Sequence, residues 1–386
     1  MGFLSLLMVA SMPVVQVLLI GLLGAFLATK NINVLTPTAL KDINKVVFMV
    51  FTPSLVFFSF AKSITLQGII SWWFMPVNIG IIFLLGSILG WVIVKVLRPG
   101  RHLEGLVIAN CTAGNLGNLM LILIPAICAE EGNPFGKIDV CRENGITYVS
   151  LSMALGGIFI WTHTYSFMQK DGILREKMKL NNADLEAYQI QTKVPLLPDE
   201  NVSEKKQHFM EKLKPTLHRI VEELMTPPIV AVIVGFIVGV IPWIKSLIFG
   251  LNAPLRVLQD SLKLLGDGLL PCIILILGGN LTRGLHKSEI KTSVIVAIIC
   301  TRYIVLPIAG IGVVRAVKGL GLLPSDTLFA YVLLVQYTLP PGMSIATMAQ
   351  LFNAGQEECS VIFLWTYLVA ALAVTAWSSV FMWILT

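Results

Sequence analysis

Charge is what this chain has least of. Only 13% of its 386 residues are Asp, Glu, Lys or Arg, and 56% are hydrophobic; a soluble domain carries about 25% charged residues. That balance excludes an ordinary water-soluble globule. A glycine-rich phosphate loop is missing, which argues against an ATP-driven pump, and neither HExxH nor GxSxG occurs. The five histidines (His102, His163, His208, His218, His286) never pair at i, i+4 and fall in loops or near the ends of apolar runs, where solvated surface is the expected role. The six cysteines form no CxxC pair and no metal-ligand spacing. They are read as small packing residues, with a disulfide between Cys128 and Cys141, which flank one loop, as the minority alternative. No enzyme, cofactor or metal is therefore expected. The net charge of +6 does not cluster on one face with interleaved aromatics, so nucleic acid is not an expected partner.

Long apolar runs are what is there. Runs of about 18 or more apolar residues mark membrane-spanning helices, and ten lie near 9–29, 43–61, 69–94, 105–128, 146–168, 227–248, 255–279, 292–314, 327–351 and 360–385. The first has no basic n-region or evident cleavage site and is read as a retained span. A receptor would more naturally show seven spans. The expectation is an all-α polytopic membrane protein embedded in lipid. Residues 169–226 break the pattern with ten Lys/Arg and ten Asp/Glu, dividing the chain into five spans (1–168), a polar loop (169–226) and five more spans (227–386). Within the loop, Phe209, Leu213, Leu217, Ile220, Val221 and Leu224 recur at helical spacing. This is an amphipathic helix suited to the membrane interface or to a partner's surface.

The two halves show internal correspondences. "SMPVV" (11–15) opens the first span and "TPPIV" (226–230) the sixth; Pro53 lies midway in the second span and Pro271 midway in the seventh. "GNLGN" (114–118) interrupts the fourth span and "LPPGM" (339–343) the ninth. Because five is odd, the second unit enters the membrane from the opposite side, giving two inverted five-helix repeats. With the long loop itself excluded, loop charge is nearly balanced, nine basic residues on its side against eight on the other. The uncharged N-terminus and the charged central loop tip the assignment toward a cytosolic loop with both termini outside or lumenal. The sequon at Asn201 and Ser203 tests this, because only a lumenal loop would carry a glycan lost in Asn201→Gln.

Candidate binding residues follow from the broken spans. Gly114 and Gly117 each disfavour helix by about 1 kcal/mol relative to Ala, and Pro340 with Pro341 removes two backbone donors. Non-helical backbone at membrane depth is tolerated where protein buries it or water reaches it. Spans four and nine are thus expected to split into half-helices that cross at mid-membrane, their N-termini forming an anion site with Asn115 and Asn118 as side-chain donors and acceptors. Arg302 lies near the middle of its span, at a cost of roughly 3 kcal/mol or more. It is an anion-pairing or gating charge, or else it snorkels or pairs with Asp267. Asp267, four residues before Pro271, is a proton carrier, the partner of Arg302, or a helix-terminus residue.

With those residues in place, the chain resembles the PIN-LIKES (PILS) auxin carriers of plants, relatives of the PIN-FORMED efflux carriers. The match is carried by "ASMPVVQVLLIG" (10–21), "NKVVF" (44–48), "ISWWFMPVN" (70–78), "AGNLGNLMLILIPAIC" (113–128), "CRENG" (141–145), "SMALGG" (152–157), "KLLGDGLLPC" (263–272), "LGGNL" (277–281), "TLPPGMSIATMAQLFN" (338–353) and "LWTYLVA" (364–370). The resemblance implies a ten-helix transporter of the bile-acid-symporter and NhaA-like kind, with a scaffold and a transport domain bearing the crossed helices 4 and 9. It implies indole-3-acetic acid as substrate, alternating access across an intracellular membrane, residence in the endoplasmic reticulum, and control of intracellular auxin availability. In the PIN-FORMED relatives an asparagine seven residues before the proline of the first crossover contacts the carboxylate. Here that residue is Asn118, preceded by Gly117 where the relatives have proline. Their second crossover reads Leu-Pro-Gln-Gly; here it is Leu339, Pro340, Pro341 and Gly342, without the glutamine. Second-span pocket residues are expected near Pro53, Val56 and Phe57. The acid and lysine that the relatives carry early in the third span are absent from "ISWWFMPVN". An ion-coupled carrier of another organic anion and a non-transporting sensor or scaffold remain the rival readings, and a homodimer is left open.

Overall fold

The computed structural model describes residues 16, 19–64, 70–129, 133–190, 227–250, 253–324 and 326–385. The amphipathic segment 209–224, the sequon at Asn201 and the "SMPVV" motif lie outside them. Among the described residues the structure is helical, its one extended feature being an isolated bridge between Gly114 and Pro341. In chain order the helices are α1 (19–27), α2 (Pro37–Lys62), α3 (Phe74–Leu97), α4 (Glu104–Thr112), α5 (Asn118–Ala129), α6 (Ile138–Phe159, then Ile160–Thr164 and Tyr165–Ile190) and α7 (Pro227–Val240). They continue with α8 (Pro242–Ile248), α9 (Arg256–Asp267), α10 (Leu269–Lys287), α11 (Thr292–Gly319), α12 (Thr327–Val335), α13 (Ser344–Leu351) and α14 (Gln356–Leu385).

Six of these stretches are long and apolar enough to cross a membrane, or seven if the bent pair α7–α8 is one span. The protein is thus a polytopic membrane protein. Large apolar side chains stand exposed on its outer helix faces, among them Leu84, Val96, Leu372 and Trp383, as lipid rather than water requires. The sixth apolar run, expected to be one span, instead bends by 106° between Val240 and Pro242, because Pro242 lacks the N–H that would continue the helix. The fourth and ninth runs are broken as expected, each into two shorter helices.

Local chemistry sets these boundaries. Thr36 caps α2, its hydroxyl accepting the Ala39 N–H at 3.1 Å, with Pro37 in the first turn. Three spans widen into a π turn, at Val47–Phe51, Ile160–Thr164 and Thr301–Val305. In the first and third a proline follows two residues later (Pro53, Pro307); its ring displaces the preceding turn, and the π turn absorbs the mismatch. The polar linker expected from residue 169 begins as helix, with α6 running on to Ile190. Asp171 anchors its first turns. It is buried, and its two carboxylate oxygens accept the Gly105 and Leu106 N–H groups at 3.0 and 2.8 Å, capping the start of α4 from a neighbouring helix.

Two packed layers result. In one, α2 lies against α7 and α9, the first contact so close that a Cβ on Gly235 would stand 3.0 Å from the Phe57 carbonyl oxygen, and one on Gly239 2.9 Å from that of Phe60. In the other, α3 packs on α4, α5 on α6, and α12 on α14; a Cβ on Gly86 would meet the Cys111 carbonyl at 2.6 Å. Small residues at i, i+4 let membrane helices approach to backbone contact.

Candidate functional site

The two broken spans meet. Asn115 N–H donates to the Pro340 carbonyl at 2.8 Å, and Gly342 N–H donates to the Ala113 carbonyl at 2.8 Å. The non-helical stretches therefore pair as a two-residue antiparallel bridge at the Gly114–Pro341 step. Remaining backbone acceptors are also used. Leu116 N–H reaches the Gly114 carbonyl at 2.9 Å, and the Tyr367 hydroxyl of α14 donates to the Pro341 carbonyl at 2.9 Å. That hydroxyl in turn accepts from Asn115 Nδ2 at 3.1 Å, so one tyrosine ties the first break to the second. Interrupted backbone is stable here because each break supplies the hydrogen bonds the other has lost.

A cavity of about 90 Å³ lies among the bridge, α2, α6 and α10. The first break contributes Gly114, Asn115, Leu116 and Gly117, and the second Gly342, Met343 and Ser344. Helix α2 contributes Thr52, Leu55, Val56, Ser59 and Phe60; α6 contributes Met153, Ala154, Gly157, Ile160 and Trp161; α10 contributes Leu269, Leu270 and Ile273. No ionisable side chain is among these residues. The polar side-chain groups are the Asn115 amide, the Trp161 indole N–H and the hydroxyls of Thr52, Ser59 and Ser344, and among the described residues Thr52 Oγ1 is buried without a hydrogen-bond partner. Helices α5 and α13 begin at the bridge, at Asn118 and Ser344; the first N–H groups of a helix have no partner within it, and in α13 those of Ile345 and Ala346 are taken by the Gly342 and Met343 carbonyls at 3.1 and 3.0 Å. Donors without a full charge, set in an apolar wall with two aromatic rings, can hold a small organic anion that has an apolar body.

The expected residues separate accordingly. Asn115, Gly117, Gly342 and Val56 line the cavity. Pro340 and Pro341 lie beneath it as bridge residues. Pro53 and Phe57 do not line it. Phe57 packs with Ala61, Val238 and Ile248 on the α7 side, because one residue of helix turns a side chain by about 100°. The lining face of α2 is the stripe 52, 55, 56, 59, 60, and that of α6 is 153, 157, 161, both of which helical spacing makes legible in the sequence. Asn118 opens α5 at the bridge.

Arg302 is fully buried and Asp267 exposed, and no ion pair joins them among the described residues. The snorkelling and Asp267-paired alternatives are thereby removed; Arg302 Nε instead donates to the Asn110 carbonyl at 2.8 Å, at the end of α4. His163 is not solvated surface either. It stands in the π turn of α6, half-buried, with Nε2 3.0 Å from the Ser87 hydroxyl. Cys128 and Cys141 form a disulfide, with Cα atoms 5.6 Å apart, between the end of α5 and the start of α6. The sequence showed only that they flank one loop, whereas the pairing depends on how α5 packs on α6.

Comparison with known proteins agrees with this architecture. Residues 9–378 match the family described as membrane transport protein. The chain is 53% identical to Protein PIN-LIKES 7 of Arabidopsis thaliana and 50% identical to Protein PIN-LIKES 5 of the same plant, in each case over the whole of both chains. It is 23% identical to an uncharacterized transporter of Saccharomyces cerevisiae, over 94% of this chain and 92% of the other. With a crossover of two broken helices, a cavity at their bridge and full-length identity of this order, the chain is a membrane transporter that belongs to the PIN-LIKES family.

Proposed function

We propose that this transporter carries auxin, indole-3-acetic acid and similar aromatic carboxylates, across an intracellular membrane by alternating access, and so regulates intracellular auxin availability. The observation that carries the reading is the cavity at the bridge. Neutral polar groups line it, the Asn115 amide and the Thr52 and Ser344 hydroxyls, beside the start of α5, while Phe60, Trp161, Leu269 and Ile273 supply apolar and aromatic wall. A carboxylate suits the donors and an indole ring suits the wall. The resemblance to auxin carriers points to the same substrate class.

The cavity is smaller than the roughly 150 Å³ that holds benzene in an apolar interior, so an indole ring enters only after the layers separate or side chains move. Met153, whose sulfur lies against Gly117, is a flexible side chain suited to that movement. The structure is accordingly read as a contracted state between two open ones.

Orientation and residence belong to the same proposal. Disulfides persist in oxidising compartments, so the Cys128–Cys141 pair supports a lumenal loop between α5 and α6. Helix α6 then emerges in the cytosol, which favours a cytosolic 169–226 loop, lumenal termini and an endoplasmic-reticulum membrane. Residues 1–168 and 227–386 are read as the inverted five-helix repeats.

Counterflow of labelled indole-3-acetate in proteoliposomes tests the function. Uptake driven by unlabelled substrate inside, without a sodium or proton gradient, is expected. A strict requirement for either gradient favours an ion-coupled organic-anion carrier, and binding without counterflow favours a sensor. Asn118→Ala, at the start of α5, is expected to abolish counterflow while the protein stays folded; unchanged flux would remove Asn118 from the site.

A further inference from the structure

Arg302 heads the fully buried side chains by size. It sits in the π turn Thr301–Val305 of α11, and its single hydrogen bond runs from Nε to the Asn110 carbonyl. Among the described residues Nη1 and Nη2 have no hydrogen-bond partner, and no carboxylate lies within ion-pair distance. A Cβ placed on Gly114 would stand 3.2 Å from Nη1 and 3.9 Å from Cζ. The guanidinium therefore rests against the bridge at Gly114, a residue that also lines the cavity. An arginine does not lose its proton in a protein. A full positive charge thus stands immediately behind the candidate site, and among the described residues it has no counter-charge. Such a charge is costly at membrane depth, and in a low-dielectric interior it attracts an anion strongly and is little screened by salt.

We propose that Arg302 is a fixed charge that selects monocarboxylates at the cavity, the carboxylate of the substrate serving as its counter-ion. It acts across the Gly114 peptide without touching the substrate, and so is a positioning residue for specificity. Glycine at 114 is part of the device, because a side chain there would push the guanidinium away. The inference rests on the reading that the cavity holds the substrate.

Binding of acid–amide pairs to the purified full-length protein tests it, using indole-3-acetate against indole-3-acetamide and benzoate against benzamide. Wild type is expected to prefer each acid by about thirtyfold, the scale of one unit charge acting over several ångströms of protein interior. Arg302→Lys keeps most of that preference, and Arg302→Gln reduces it to about threefold or less. An Arg302→Gln protein that retains the wild-type preference overturns the proposal, as does a wild type that favours neither acid over its amide. If Arg302→Gln does not fold, salt dependence of the wild type decides. A preference unchanged between about 20 mM and 500 mM salt fits a buried charge, and one that disappears assigns it to exposed residues and overturns the proposal. The auxin reading fails separately, by binding of benzoate without indole-3-acetate.

Discussion

The two interruptions that build the site reach the same depth by different chemistry. Residues 113–117 are broken by glycines and carry an asparagine whose amide borders the cavity, with Asn115 only partly buried. Residues 339–343 are broken by adjacent prolines and are wholly buried. Prolines offer carbonyls and no N–H, and those carbonyls are taken by Asn115 N–H and the Tyr367 hydroxyl. The first break thus presents a side chain to the cavity, and the second serves mainly as the acceptor that holds it in place. Two paired breaks need not divide their labour evenly.

Substitutions can separate these roles. The largest effect is expected from Gly342→Val. A Cβ there would lie 3.1 Å from the Gly114 carbonyl oxygen, and overpacking of this kind costs about 1–3 kcal/mol, so both thermal stability and counterflow should collapse. Asn115→Ala comes next. It removes the cavity amide, and loss of a hydrogen bond to a charged group is worth about 1.5–3 kcal/mol, so substrate affinity should fall roughly tenfold to a hundredfold while the fold persists. Tyr367→Phe deletes only the hydroxyl that joins the breaks. Stability should drop by about 1–2 kcal/mol, with affinity changing only a few-fold, because the asparagine amide remains. Phe57→Leu should be smallest, leaving affinity within about twofold, since the ring packs on the α7 side and volume-conserving swaps cost little. A large affinity loss in Phe57→Leu would return that residue to the cavity.

These rankings also mark where sequence reasoning reaches. Gly114, Gly117, Pro340 and Pro341 act on their own backbone, so both breaks are legible from composition alone. The hydrogen bonds between them join residues more than 200 positions apart and follow only from how the two breaks meet in the fold. Phe57, which the resemblance implies near the pocket, falls outside the lining stripe of α2 because helical phase turns it toward α7. Thr52, Ser59 and Phe60 share the phase of Val56 and follow from it. Arg302 is conspicuous in the sequence, but its partner is a main-chain carbonyl of another helix, which no side-chain pattern reveals. The disulfide depends likewise on the packing of α5 against α6.

A carrier site for an aromatic carboxylate at the bridge of two broken helices must exchange its ligand across the membrane. Counterflow of labelled indole-3-acetate into proteoliposomes, wild type beside Asn115→Ala, tests it most directly. The account predicts saturable wild-type uptake driven by internal unlabelled indole-3-acetate, with the half-saturating concentration raised roughly tenfold or more in the variant. Wild-type vesicles that bind the ligand yet show no counterflow, or a variant indistinguishable from wild type, would contradict it.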